Sequence, residues 1–122
     1  MYRISVDGEF SSAHSLRDYP GKCARPHGHN WRVRLSVRTQ DLDDRGMAVD
    51  FGNLKALLEE VLAPFDHRDL NSVPPFDTLN PTAENLARII FEQAEARAPD
   101  GVAIDKVLVW ESEKSRVEYS KK

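Results

Sequence analysis

The sequence predicts an α+β fold: a four-stranded antiparallel sheet with two helices on one face, in the order β-β-α-α-β-β. Apolar and polar residues alternate over two stretches near the N-terminus, which is typical of half-buried strands. Apolar residues then recur at helical spacing in two central stretches, and two more strand-like stretches close the chain. With 122 residues the chain can bury a core of its own, so residues 1–122 are assigned to one domain.

A period of two predicts the first two strands. Over residues 2–14, one parity carries the apolar side chains and a histidine: Ile4, Val6, Phe10 and His14. Residues 27–38 alternate more strictly, and their inward set is His27, His29, Trp31, Val33, Leu35 and Val37. The opposite parity makes one face of the sheet polar, and there Asp7 and Glu9 are expected to meet Arg32 and Arg34.

Helical spacing predicts the central elements. The first helix ends near Pro64 and is amphipathic, with apolar positions Leu54, Leu57, Leu58, Val61 and Leu62. The second begins after Thr82 and stops at residues 99–101, with apolar positions Leu86, Ile89, Ile90 and Ala94. The remaining segments are predicted as a short extended piece, a proline-rich loop and two closing strands: residues 47–51, 65–81, 102–111 and 115–119.

Charge and composition exclude several classes of partner. The net charge of −3 argues against a strongly basic nucleic-acid surface. No apolar run approaches the roughly 20 residues that span a bilayer, so no membrane partner is expected. Cys23 is the single cysteine, which excludes an intrachain disulfide. Together with the lack of an export signal at the start, it leads us to expect a cytoplasmic protein.

Three histidines are candidate metal ligands. His27 and His29 are two residues apart on a predicted strand, so their rings face the same side, and a long hairpin would bring His14 over them. Three imidazoles without a fourth protein ligand are typical of a catalytic zinc site, where the open position takes water or substrate. Taken singly, each could equally be a core histidine, and Gly28 between two of them could mark a bulge.

A thiol and an Asp-His pair are candidate catalytic groups. Cys23 lies in a Pro/Gly-containing loop beside Lys22 and Arg25, and cationic neighbours favour the reactive thiolate. The alternative for Cys23 is a small buried hydrophobe. Asp66 and His67 are adjacent in a loop, where they could relay protons or orient a thiol, or simply be solvated.

Three further residues are candidate ligand contacts. Glu111 ends an apolar strand, where its carboxylate could accept two N–H groups from an amino-amidine edge or lie free in solvent. Thr82 and Glu84 stand at the start of the second helix, where an N-cap and a first-turn acid are stabilising without any ligand.

Six short motifs follow one another in order: Phe10–His14, Cys23–His29, Met47–Phe51, Phe65–Asn71, Pro81–Leu86 and Val109–Glu111. Together they resemble the 6-pyruvoyl-tetrahydropterin synthase family over nearly the whole chain, and within it the 6-carboxy-tetrahydropterin synthase branch of queuosine biosynthesis. The resemblance implies the tunnelling fold, with two strands, two helices and two strands per subunit. It also implies a homo-oligomer, in which subunits join edge to edge into a trimeric barrel and two trimers commonly stack.

The resemblance also implies roles for the candidate residues. The zinc ligands are His14, His27 and His29. The catalytic set, shared between subunits, is Cys23, Asp66 and His67. The pterin ring is anchored by Glu111, which is thereby also part of the catalytic site, and Thr82 and Glu84 lie where further pterin contacts occur.

The implied substrate is 7,8-dihydroneopterin triphosphate. In the queuosine branch a carbon–carbon bond breaks, giving 6-carboxy-5,6,7,8-tetrahydropterin, acetaldehyde and triphosphate, whereas in the pyruvoyl branch that bond survives. Three residues separate Cys23 from His27, which resembles the queuosine branch. The alternatives left open are a 6-pyruvoyl-tetrahydropterin synthase, a non-catalytic pterin- or purine-binding module, and a zinc hydrolase.

Overall fold

The computed structural model describes residues 1–122 and confirms the α+β class. Its strands are β1 (Tyr2–His14), β2 (His27–Thr39), β3 (Arg68–Asp69), β4 (Ala103–Ser112) and β5 (Ser115–Tyr119). Its α-helices are α1 (Phe51–Leu62) and α2 (Ala83–Arg97). Three short 3₁₀ turns cover Lys22–Ala24, Ala63–Phe65 and Leu70–Ser72. Neither α-helix has the length and apolar character needed to cross a membrane.

The sheet has the order β3-β1-β2-β4-β5, with one strand more than the sequence predicts. The extra strand, β3, pairs in parallel with β1 at Ser12 and Ala13, so the sheet is mixed rather than purely antiparallel. The other neighbours are antiparallel, as predicted. Two residues are too few to show a period of two, and the pairing that makes them a strand comes from a distant segment. The prediction of residues 65–81 as loop therefore missed β3.

The start of α1 also corrects the prediction. Residues 47–51 are predicted as extended, but residues 47–50 form bends and irregular backbone and Phe51 already opens the helix. The side chain of Asp50 explains this start, because it accepts hydrogen bonds from the amides of Gly52 and Asn53 and so acts as the N-cap.

Both helices pack on one face of the sheet and enclose a single apolar core. Gly8 lets α1 come close to β1, since a Cβ at this position would lie 2.9 Å from Cδ2 of Leu58. The other face is polar, as predicted: Arg34 donates to Asp7 over 2.8 Å, and the Arg32 guanidinium stacks 3.9 Å above the ring of Trp110. At the end of the sheet, His29 and Glu111 line one depression together with Arg32 and Trp110 of this polar face.

Candidate metal and catalytic site

The β1–β2 hairpin brings the three predicted ligand histidines together. His14 stands directly opposite His27, and Ser12 opposite His29, at the end of an unbroken antiparallel register. The ring centroid of His14 lies 4.5 Å from that of His27 and 5.0 Å from that of His29. The register runs without a shift from the Tyr2–Thr39 pair to the His14–His27 pair. The pairing of the whole hairpin therefore fixes the position of the cluster.

Glu111 joins this cluster from β4. Its Oε1 lies 3.1 Å from Nε2 of His29 and 3.8 Å from Nε2 of His14. The ligand atoms of the four residues all lie within 4.8 Å of one another, which is close enough to hold one metal ion. From the sequence, Glu111 is expected in the catalytic site as the anchor of the pterin, and its contact with the histidines is not predicted. The signal for the second contact was its parity, since Val107 and Val109 on the same strand face inward.

Two backbone carbonyls orient the rings. Nδ1 of His14 lies 2.8 Å from the carbonyl oxygen of Pro81, and Nδ1 of His27 lies 2.7 Å from that of Arg25. A carbonyl can only accept, so the proton of each neutral ring sits on Nδ1 and the Nε2 lone pair is free to bind a metal.

The Nε2 atoms of His14 and His29 are buried and make no well-aligned hydrogen bond, although the Glu111 carboxylate is near both. Imidazole lone pairs that face a carboxylate form a donor set to which a cation can bind. The four residues therefore fit a metal ion, and nitrogen with one carboxylate suits a divalent transition metal or zinc.

Burial keeps these histidines in the form that binds metal. Desolvation is the main cause that lowers the pKa of His14 and of His29 below the ordinary value for histidine. The Glu111 carboxylate acts in the opposite direction on both groups and is outweighed. Both rings are consequently neutral at neutral pH, as metal ligation requires.

Asp66 and His67 form a hydrogen-bonded pair beside β1. Asp66 Oδ1 accepts from the Ser11 amide over 3.0 Å and lies 3.0 Å from Nδ1 of His67. The hydrogen bond that Asp66 accepts from the Ser11 amide is the main cause that holds the pKa of Asp66 below its usual range, and the contact with His67 lowers this pKa further. His67 has a φ of 56°, in the left-handed region, and its side chain is 81% exposed. The pair thus presents an oriented imidazole to solvent, at the rim of a depression that His29 also lines.

Cys23 lies outside the metal-binding cluster. It is half-buried in the 3₁₀ turn Lys22–Ala24, and its carbonyl accepts from the amide of Leu16 over 2.8 Å. This loop reaches the cluster through Arg25, whose carbonyl orients His27. The thiol is thus attached to the site by a short stretch of backbone rather than by a side-chain contact with the ligands.

The start of α2 abuts the same cluster, because Thr82 follows the Pro81 that contacts His14. Thr82 Oγ1 accepts from the Asn85 amide over 3.1 Å, which confirms the predicted N-cap. Glu84 is exposed in the first turn. Contacts of these two side chains with a pterin remain predictions.

The fold and the convergence of ligands at the end of its first hairpin define the class: a small α+β protein with a candidate metal site. The profile of the family described as 6-pyruvoyl tetrahydropterin synthase matches residues 3–122, and the chain belongs to this family.

Individual relatives agree with the family assignment. The 6-carboxy-5,6,7,8-tetrahydropterin synthase of Haemophilus influenzae is 31% identical, over 98% of this chain and 99% of the relative. The human 6-pyruvoyl tetrahydrobiopterin synthase is 36% identical, over 81% of this chain and 70% of the relative. The solved 6-pyruvoyl tetrahydropterin synthase of Caenorhabditis elegans superimposes with a TM-score of 0.89 at 28% identity, covering 99% of this chain and 96% of that one.

Proposed function

We propose that this protein is a zinc-dependent lyase of queuosine biosynthesis. It converts 7,8-dihydroneopterin triphosphate and water into 6-carboxy-5,6,7,8-tetrahydropterin, acetaldehyde and triphosphate. The observation that carries the proposal is the set of histidines with unpartnered, buried Nε2 atoms facing the carboxylate of Glu111. The Haemophilus influenzae relative, matched over nearly its full length, supports the carboxy branch by its name.

The three histidines would hold the metal. His14 and His27 have their Nδ1 atoms engaged by backbone carbonyls, so both offer Nε2, and His29 completes the set. Zinc bound there would act as a Lewis acid toward the side-chain oxygens of the substrate and so acidify the adjacent C–H bonds.

Proton transfer falls to the thiol and the Asp-His pair. In this proposal the Cys23 thiolate removes a proton from the substrate side chain. His67, held by Asp66 through Nδ1, exchanges protons at its exposed Nε2. The lowered pKa of Asp66 keeps its carboxylate ionised, so that it can hold the His67 ring in place while the ring exchanges protons.

The carboxylate of Glu111 is proposed to anchor the pterin. An amino-amidine edge presents two N–H donors, and a carboxylate accepts both with its two oxygens. Glu111 is partly exposed at the end of β4, so one side of the carboxylate is open to a ligand while the other faces the histidines. Thr82 and Glu84 are proposed as further pterin contacts at the start of α2.

The active protein is proposed to be a homo-oligomer, a trimer or a dimer of trimers. Both edges of the sheet are open: β3 covers β1 only at Ser12 and Ala13, and β5 has one partner strand. Unpaired edges favour pairing with another chain. The proposed site is shared between subunits, as the family resemblance implies, and in it Cys23 works with the Asp-His pair of a neighbouring subunit. A thiol that must stay reduced also fits a cytoplasmic location.

A 6-pyruvoyl-tetrahydropterin synthase is the second candidate, and the similarity to the human protein favours it. Product analysis with zinc-loaded protein and 7,8-dihydroneopterin triphosphate separates the two. Acetaldehyde and 6-carboxy-tetrahydropterin in equal amounts are expected, whereas a pyruvoyl product without acetaldehyde would establish the second candidate. Binding of the substrate without turnover would instead indicate a non-catalytic pterin-binding module.

A further inference from the structure

We propose that Arg17, acting with Asn71 and Asn80, is a positioning residue for the metal site. These three side chains tie residues 15–17, directly after His14, to the loop that ends at Pro81. They thereby hold the Pro81 carbonyl that keeps the His14 proton on Nδ1. The inference rests on the metal site proposed above, but it makes a separate claim about the tautomer of His14 in the metal-free protein.

The Arg17 guanidinium binds the loop through four backbone carbonyls. It donates to the oxygens of Asn71 at 3.3 Å, Phe76 at 2.7 Å, Asp77 at 3.4 Å and Leu79 at 3.0 Å. Only a planar group with several fixed N–H donors can serve so many acceptors at once, and lysine lacks that geometry. Since all four acceptors are main-chain atoms, this contact shapes the loop irrespective of its side chains.

Two amide side chains complete the connection, each by pairing with both the N–H and the C=O of one main-chain residue. Asn71 accepts from the Ser15 amide at 2.9 Å and donates to the Ser15 carbonyl at 3.0 Å. Asn80 accepts from the Arg17 amide at 2.9 Å and donates to the Arg17 carbonyl at 3.5 Å. The segment after His14 and the loop before Pro81 are thus joined at both ends.

Residues that follow Pro81 in the chain also hold this loop in place. The Asn80 carbonyl accepts from Nδ2 of Asn85 at 2.9 Å and from the Thr82 amide at 2.8 Å. Pro81 and His14 are both buried, so no solvent molecule can substitute freely for the carbonyl that His14 contacts at 2.8 Å. Weakening the Arg17 contacts releases this carbonyl, allows the proton to move to Nε2 and blocks the metal-binding lone pair.

The test compares Arg17→Met with Arg88→Met, a matched control that removes an arginine paired only with Glu92 on the surface of α2. Imidazole ¹⁵N–¹H correlation spectra of metal-free protein report the His14 tautomer, and competition with a chromophoric chelator reports zinc affinity. In wild type and R88M we expect the Nδ1–H tautomer. In R17M we expect a mixture of tautomers and an affinity lower by on the order of tenfold.

An R17M protein that loses thermal stability but keeps both the tautomer and the zinc affinity of R88M would show a merely structural role and overturn the proposal. If R17M does not fold, Asn80→Ser, which removes only one amide group, must give the same shift of tautomer. An Nε2–H tautomer of His14 in the wild-type protein would refute the idea without any variant. If wild type binds no zinc, the proposed function fails, while the tautomer comparison still decides this inference.

Discussion

Nε2 of His29 and Oε1 of Glu111 face each other at 3.1 Å, across the junction of β2 and β4. This contact is close but is not a hydrogen bond, because Nε2 of His29 has no hydrogen-bond partner of acceptable geometry. Glu111 thus contacts the candidate metal ligands while its side chain remains 36% exposed. Ligation of the metal and anchoring of the pterin by this carboxylate lead to different experimental outcomes.

Glu111→Gln separates these roles, because glutamine keeps the shape of the side chain but not its charge. If Glu111 anchors the pterin, we expect zinc content to stay at one per chain. Substrate affinity should fall by about 10-fold to 100-fold, the range of a hydrogen bond to a charged acceptor. Metal analysis and a substrate titration measure the two effects. Loss of zinc in both the Gln and the Ala variant would make Glu111 a ligand instead.

The ligand histidines can be tested against the histidine that lies outside the cluster. His29→Gln should greatly reduce the zinc that co-purifies with the protein, because one of three imidazole ligands is lost. His67→Gln is the matched control and should retain full zinc content, since its ring is exposed and pairs with Asp66. Equal zinc contents in the two variants would contradict the assignment of the site.

Cys23→Ala addresses the proposed proton transfer. We expect kcat to fall by about 10²-fold to 10⁴-fold, as is usual when a general base is removed. Zinc content and thermal midpoint should stay unchanged, because the thiol is neither a member of the metal cluster nor part of the core. Turnover that survives this substitution would rule out the thiol mechanism and favour a metal-hydrolase mechanism.

Edge-to-edge assembly predicts a particle of three or six chains, each of 13.9 kDa, by light scattering. It also predicts complementation between two inactive variants. Subunits carrying Cys23→Ala and subunits carrying His67→Ala should regain part of the activity when unfolded and refolded together, because some interfaces then contain an intact thiol and an intact Asp-His pair. A monomeric mass, or mixed oligomers with no activity, would argue against a site shared between subunits.

The metal-free protein should become less stable as the pH falls below about 6.5, the ordinary pKa of histidine. Burial lowers the folded-state pKa of His14 and His29, so the unfolded chain takes up protons first. The contribution of these two histidines to the free energy of unfolding is therefore fully present above this pH and declines below it. Urea unfolding at several pH values measures the slope, which should be shallower in a double variant with glutamine at both positions. Asp7 and Asp66, whose pKa values are also lowered, contribute only at more acidic pH.

Local patterns were sufficient for most of the structure that neighbouring residues decide, with the start of α1 as the exception. The alternation over residues 2–14 and 27–38 predicted both strands of the hairpin and the shared side of His27 and His29. The N-cap Thr82 was also predictable, because capping depends on residues within one turn. The start of α1 was missed, although Asp50 carried the signal of an N-cap.

Contacts between distant segments needed the tertiary structure. β3 is a strand only because the chain returns to β1, and Glu111 meets His29 only because β4 lies beside β2. The sequence alone determined which residues are candidates for the chemistry and, for those on strands, which face they occupy, since side-chain direction follows from backbone period. Only the fold decided their partners, the Pro81 carbonyl and the Arg17 contacts among them, because strand register and loop closure are set by packing along the whole chain.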